Sequence, residues 1–441
     1  MSSVKKSVSE SEVVLLWQRQ VQQERSLLDT EGEPVTVIYP GRPNDSRGGD
    51  FRDAVVASAN ANRQGCIEVH TKASGWEAHG HHRDPAYNQV VLHVAMEMDR
   101  PGQTLLQNGK SIPTVILKQP AAPEPGPAVL VRGLPCQRLS HRWSREKLAL
   151  TLDRAGDLRL QEKAARFLNE LANTGPDQVL YRGILEALGY IKNKEPFVRL
   201  AAQAPLKIVE EKIRKSREKD ISETIQALLL GTAGLLPSQR RVICGDSYTE
   251  HLEQIWLGMP HQNSLSFREW ELFKVRPANN PVRRIIAVSY LILRYLNSGW
   301  LVFFSDALRR ASPERFQKEL EAALEVKAEG YWAGHFDFGR PLPASPVLLG
   351  RERAAVIAIN VILPFFLAWS RLIEEPVLYI KVREVYRHYP RLESNSIERH
   401  MLQQLSAESY RPDSASRQQG LIQIYQKLCT RGKCEKCDFS N

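Results

Sequence analysis

The hydrophobic pattern changes period about a third of the way along the chain. Up to residue 118, short Val- and Ile-rich runs are separated by Gly, Asn and Pro, which predicts strands over 34–41, 50–59, 65–72, 89–98 and 111–118. An amphipathic helix over 13–28 precedes them, and Pro40-Gly41 supplies turn chemistry at the end of the first strand. From about Ser144 onward, apolar residues recur at three-and-four spacing, predicting helices over 145–172, 177–190, 205–216, 221–230, 282–296 and 313–326. NELANTGPDQ and SREKDISET read as helix ends followed by N-caps. Between the two regimes, QPAAPEPGPAV (119–129) has the proline density of an extended linker. The expected fold class is α+β: an N-terminal α/β, β-rich domain, then an α-helical domain with a C-terminal cysteine knuckle. The expected boundaries are 1–120, a linker at 121–143, helices at 144–428 and the knuckle at 429–441.

With 441 residues the chain is long enough for two or three domains. Its 42% hydrophobic and 25% charged residues are ordinary for a globular protein and argue against a disordered or fibrous one. A net charge of +10 suits a polyanionic partner, and nucleic acid is the expected one. Six cysteines in so long a chain do not make a disulfide scaffold and read as reduced thiols. MSSVKKSVSESE lacks the apolar core of a signal peptide. AAVIAINVILPFFLAW (354–369) is shorter than a typical membrane span and reads as a buried helix. The expectation is a cytoplasmic protein with no membrane partner; nothing in the pattern sets its oligomeric state.

Chemistry concentrates in GCIEVHTKASGWEAHGHHRDPAYNQVVLHVAMEM (65–98), which holds five of the eleven histidines. Alternate residues of a strand share a face, so Glu68, His70 and Lys72 project together, and Asp50 opens the preceding strand after two glycines. Three of His70, His79, His81 and His93 suffice to surround Zn²⁺, Mn²⁺ or Fe²⁺, with Glu68 or Asp84 as ligand or base. That reading is a transition-metal hydrolase acting on a small molecule. Taken singly, His93 in an apolar strand suits a hydrogen-bonded core residue, Trp76 a core plug, and Asp84 the cap of a turn before Pro85.

Several stretches together resemble one bacterial family, the domain of unknown function 2851. They are PGRPNDSRGGDFRDA, GCIEVHTKASGWEAHGHHRDPAYNQVVLHV, LLLGTAGLL, KVRPANNPVRRI, INVILP and RQQGLIQIYQKLC followed by CEKC. This resemblance covers nearly the whole chain and implies no activity. The order helix, strand, strand opened by Asp50, strand bearing Glu68 also looks like the core of the PD-(D/E)xK nucleases. It implies Mg²⁺ or Mn²⁺ held by Asp50 and Glu68, with His70 or Lys72 activating water for phosphodiester cleavage. Here Glu68-Val69-His70 replaces the usual Glu-x-Lys. The very-short-patch mismatch endonucleases are similar in layout, with GGDF (48–51) and WEAHGH (76–81) in the corresponding places.

Cys429-x4-Cys434-x2-Cys437 has the spacing of a Zn²⁺ site or one edge of an iron–sulfur cluster. Cys136 is the first choice for a fourth ligand and Cys244 the second. Some nucleases related to the PD-(D/E)xK group close their fold with an iron–sulfur clasp of this general kind. In VRPANNPVRR, Arg276, Arg283 and Arg284 are candidate phosphate-binding residues at a helix start, or partners of carboxylates at a domain contact. Beside both enzyme readings stands a non-enzymatic scaffold binding nucleic acid or protein, its metals purely structural.

Overall fold

A computed structural model describes residues 8–44, 47–58, 61–100, 103–118, 133–139, 143–242, 244–260, 263–272, 275, 279–310, 312–342 and 347–440. The chain is mixed α+β, β-rich at its N-terminal end and helical beyond it. It divides into two compact units, one of residues 1–155, 394–411 and 419–441, the other of residues 156–393 and 412–418. This corrects the linear division at 121–143 and 429. The C-terminal helices leave the helical unit and return to the N-terminal one, because their apolar faces join its core through Met401, Leu405, Leu421, Tyr425 and Phe439. Most of the expected linker lies outside the described residues, and within it Pro135–Arg138 forms a helical turn.

The first unit opens with α1 (Glu10–Gln23). Ser9 and Glu12 cap it reciprocally, and Val13, Trp17 and Val21 line its buried stripe. The helix expected over 13–28 stops at Gln23, since residues 26–28 gain a strand partner. They form β1 (Ser26–Leu28), antiparallel to β2 (Pro34–Tyr39). The chain continues through β3 (Arg42–Pro43), β4 (Phe51–Ser58), β5 (Ala61–Lys72), β6 (Val90–Glu97), β7 (Thr104–Leu105), β8 (Ser111–Ile112) and β9 (Thr114–Ile116). The single strand expected over 111–118 is thus two short ones around Pro113. The main sheet runs β1-β2-β4-β5-β6-β9, with β3 beside β4. Pairs up to β4–β5 are antiparallel, while β5–β6 and β6–β9 are parallel. A parallel pair needs a crossover, and residues 73–89 provide it; they contain the histidine loop.

One face of the sheet is apolar. Val37, Val56, Ile67, Val69, Leu92, Val94 and Val115 pack with Val13, Trp17 and Val21 of α1. The other face of β5 and β6 carries the polar residues described below.

In the helical unit several helices begin with proline in the first turn (Pro176, Pro281, Pro313, Pro376), where the missing N–H has no intrahelical partner to lose. The apolar run expected as a core helix lies within Arg351–Leu372, which is long and apolar enough to cross a membrane; 72% of its apolar window is buried inside the protein. It widens into a π turn at Ala358–Ile362. Pro364 lacks the N–H that the carbonyl of residue 360 would receive in a regular helix.

Candidate metal centre

In the parallel pair, Glu68 lies beside His93, His70 beside Ala95 and Lys72 beside Glu97. Register partners share a face, so Glu68, His70 and His93 project together, opposite Ile67 and Val69. The crossover brings two further imidazoles over them. α2 (Gly75–Ala78) ends at His79, Gly80 takes a left-handed conformation (φ 76°), and a 3₁₀ turn over His81–Arg83 follows. Asp84 caps the next turn by accepting from the Ala86 amide at 2.9 Å. Tyr87 then stacks on His81 with ring centroids 3.8 Å apart. Trp76 is the expected core plug, buried and donating to the Leu105 carbonyl at 2.9 Å.

His70, His79 and His81 each offer a ring nitrogen within 4.8 Å of the other two. His70 and His81 are buried, whereas His79 stands at the mouth with Glu10 Oε1 3.9 Å from its Nε2. Glu68 is buried, with Oε1 3.1 Å from His81 Nε2 and 3.7 Å from His70 Nε2. Close as these are, neither Nε2 has a hydrogen-bond partner among the described residues. An unsatisfied buried nitrogen costs roughly 1–3 kcal/mol, and two of them face one carboxylate. Two ligands of one ion at about 2.1 Å and right angles stand about 3 Å apart, so these atoms fit a shared cation.

Asp50 completes the acidic side. Gly49 lies against β5 so closely that a Cβ there would meet the Cys66 Cβ at 2.8 Å, and only glycine allows that approach. It lets the Asp50 amide donate to Glu68 Oε2 at 3.1 Å and Asp50 Oδ2 accept from the Val69 amide at 2.9 Å. Burial, then the neighbouring Glu68, raises the Asp50 carboxyl to about 6 against the pull of the Val69 amide. Burial lowers His70 to about 3 and His93 to about 4, with the surrounding imidazoles pushing the same way. Both are therefore neutral at pH 7, the form a metal requires of histidine.

Some expected roles change. His93 is not a ligand, because both its nitrogens are engaged: Nε2 lies 3.0 Å from His70 Nδ1, and Nδ1 lies 2.9 Å from Thr104 Oγ1. Thr104 Oγ1 is in turn 2.8 Å from Thr114 Oγ1. The chain of contacts directs the Nε2 of His70 toward Glu68. Lys72 is half-exposed and pairs with Glu97 at 3.7 Å, one strand position beyond the histidines. Arg283 and Arg284 are not phosphate binders. They are buried in the helical unit, donating to the carbonyls of His335 at 2.9 Å and Leu348 at 2.8 Å, with Arg284 also donating to Tyr190. Arg276 lies outside the described residues. Cys136, Cys429, Cys434 and Cys437 line one pocket of the first unit, whereas Cys244 belongs to the helical unit and bonds Asp246.

Sequence reasoning missed Glu10, Thr104 and Thr114, which approach the site from α1, β7 and β9. It also missed Gly75, whose absent Cβ would meet His70 Cδ2 at 2.8 Å. Nothing in the local pattern of a helix start or a two-residue strand marks them. A cavity of about 350 Å³ in the first unit lies elsewhere, lined by Trp17, Arg25, His400 and Gln404. The histidine site is defined by its donor atoms.

Fold and site together define a mixed-sheet α+β protein with an imidazole–carboxylate cluster at the β5–β6 crossover. Residues 10–396 match the family described as "Protein of unknown function (DUF2851)", and the chain belongs to it. The match spans the histidine cluster and Cys136. No curated protein and no solved structure matches the chain.

Proposed function

We propose that this protein is a divalent-metal-dependent hydrolase that cleaves phosphodiester bonds in nucleic acid. The observation that carries the reading is buried Glu68, whose Oε1 faces the unpartnered Nε2 atoms of both His70 and His81, with Asp50 against its other oxygen. Glu68, His70, His79 and His81 would hold the ion. A donor set this rich in imidazole favours Mn²⁺ or Zn²⁺ over Mg²⁺, which prefers oxygen. When bound, the metal supplies Lewis-acid polarisation of the phosphoryl group and a more acidic water.

The chain's own residues do the rest. His93 and Thr104 hold His70 in one tautomer, Nδ1–H toward His93, which keeps Nε2 for the ion. Asp50 has one oxygen tied to the Val69 amide and the other for the proton of attacking water. Exposed Arg83 follows His81 in the same turn, and the charge of +10 favours a polyanion. Asp50 stands just before β4 and Glu68 on its antiparallel neighbour β5, which brings the two carboxylates to one end of that strand pair.

The test is cleavage of supercoiled and linear DNA and of RNA with Mn²⁺, Zn²⁺ or Mg²⁺, compared with chelator. Metal-dependent cleavage lost in Asp50→Asn and Glu68→Gln supports the proposal. The three imidazoles specifically favour a second reading, a small-molecule hydrolase. Turnover of a simple phosphodiester or ester without nucleic-acid cleavage selects it. Salt-sensitive nucleic-acid binding without any hydrolysis selects a scaffold.

A further inference from the structure

We propose a second metal centre, independent of the histidines: Cys136, Cys429, Cys434 and Cys437 form a closed four-thiolate site that ties the C-terminal tail to the first unit. The four cysteines come from positions nearly three hundred residues apart, yet they line one pocket with Tyr39, Leu134, Met401 and Ile424. Cys136 sits in the helical turn Pro135–Arg138. The other three follow the helix Ala415–Lys427 on two successive tight turns, Cys429–Arg431 and Cys434–Lys436. Gly432 links the turns in a left-handed conformation (φ 64°), and the Cys437 amide donates to the Cys434 carbonyl at 3.0 Å. Two tight turns within nine residues bring all three cysteines to the lining of that pocket.

A polar group also points at the sulfurs. Gln404 Nε2 lies 3.6 Å from the Sγ atoms of both Cys136 and Cys429. Its orientation is set by Tyr39, which donates to Gln404 Oε1 at 3.1 Å. An amide shared between two sulfurs in an otherwise apolar pocket suits thiolate acceptors, since N–H···S contacts stabilise the charge that metal-bound sulfur carries. Arg25 acts electrostatically on Cys434 and Cys136 and offsets part of that charge. All six cysteines are free thiols, so the pocket is not built around a disulfide. Burial raises all four thiols, Cys437 to about 11, and each also feels others of the set or Arg25. Loading releases four protons as four metal–sulfur bonds form. The positive metal then compensates thiolates that burial alone disfavours.

Four protein sulfurs leave no ligand position for water, which makes the site structural and not catalytic. Its occupant is a thiophilic metal, either one Zn²⁺ or an iron–sulfur cluster. Full-length protein purified anaerobically without chelator distinguishes them by zinc, iron and acid-labile sulfide per chain, with a visible spectrum. The expected result is about one zinc, or about four irons with four sulfides and a brown chromophore, per chain. Cys434→Ser and Cys136→Ser, each made in a His81→Ala background so that zinc on the histidines is not counted, should lower that content at least several-fold relative to His81→Ala alone. Cys434 is the least buried of the four and the variant best placed to fold. Wild-type protein reconstituted with Co²⁺ gives a readout without any variant, through thiolate-to-cobalt charge-transfer bands. Absence of zinc, iron and those bands would overturn the proposal. So would metal retained in both serine variants, metal absent from His81→Ala alone, or native protein in which these four cysteines are paired as disulfides.

Discussion

The histidine cluster and the cysteine pocket lie in the same unit and are built in opposite ways. The histidines come from one stretch of sequence, and a strand, a turn and a returning strand suffice to gather them. Their site has orphaned polar atoms in a polar setting, with Glu68 and Asp50 close enough to repel. The cysteines come from segments nearly three hundred residues apart and meet in an apolar setting where Gln404 is the polar contact to two of them. Proximity in sequence gives a site whose ligands are preset by backbone register. Proximity made by tertiary folding gives a site whose ligands hold distant segments together. The first arrangement suits chemistry, and the second suits stapling.

The sharpest way to break this contrast is Glu68→Gln. Removing the charge should cost about 10²–10³-fold in metal-dependent hydrolysis. Melting temperature of the metal-free protein should stay level or rise, because repulsion with Asp50 is relieved. A fall in metal-free stability without loss of metal binding would make Glu68 structural. Next in size is the response to metal. Added Mn²⁺ or Zn²⁺ at a hundred times its dissociation constant should stabilise the protein by about 2.7 kcal/mol. That increment should vanish in His70→Ala and survive in Cys434→Ser, as thermal melts with and without metal will show. Failure of the two variants to separate would mean that the two sites are not independent.

A smaller effect belongs to His93, which positions His70. His93→Ala should weaken metal binding about 10–100-fold by calorimetry, and Thr104→Val should do so less. Unchanged affinity in His93→Ala would return that histidine to a purely packing role.

His400 tests the cysteine side. It lies 2.6 Å from the Tyr39 hydroxyl, and Tyr39 also holds Gln404. Burial, reinforced by Arg42, lowers its folded pKa to about 4, with Gln404 and Asp53 opposing. The unfolded value is near 6.5, so between pH 6.5 and 4 the unfolded state binds the extra proton. The stability His400 contributes is therefore complete above about pH 6.5 and is lost as pH falls toward 4. The wild-type melting temperature should drop more steeply over that window than that of His400→Gln. Parallel curves would exclude His400 as the titrating group. The smallest expected effect is at Lys72. Its pairing with Glu97 is exposed, so Lys72→Met should change hydrolysis by no more than about twofold; a large loss would reinstate it as the activating base.

Much of the first unit was legible because its information is local. Val and Ile alternation marked β2, β4, β5 and β6, and period-two geometry placed Glu68 and His70 on one face. The gathering of Asp50 with Glu68 followed from the same reasoning, although the close approach that Gly49 permits is visible only in three dimensions. Burial on both faces of β6 left His93 open between a ligand and a hydrogen-bonded core residue, since an apolar strand reads alike whether its histidine binds metal or a neighbouring ring. Arg283 and Arg284 were misread for a related reason: charge in a sequence suggests a surface, and nothing local reveals that carbonyls of residues 335 and 348 await them inside the helical unit.

The amino-acid sequence alone determined the change from strands to helices, the histidine-bearing crossover and the spacing of the three C-terminal cysteines. Each depends on backbone propensity or side-chain periodicity over a few neighbouring residues. Only the tertiary structure decided that residues 394–411 and 419–441 return to the first unit, that Cys136 meets the tail, and that Glu10, Thr104 and Thr114 reach the histidines. Those contacts arise from burial of apolar surface shared by distant segments, a free energy that depends on what each segment packs against and that no local pattern records.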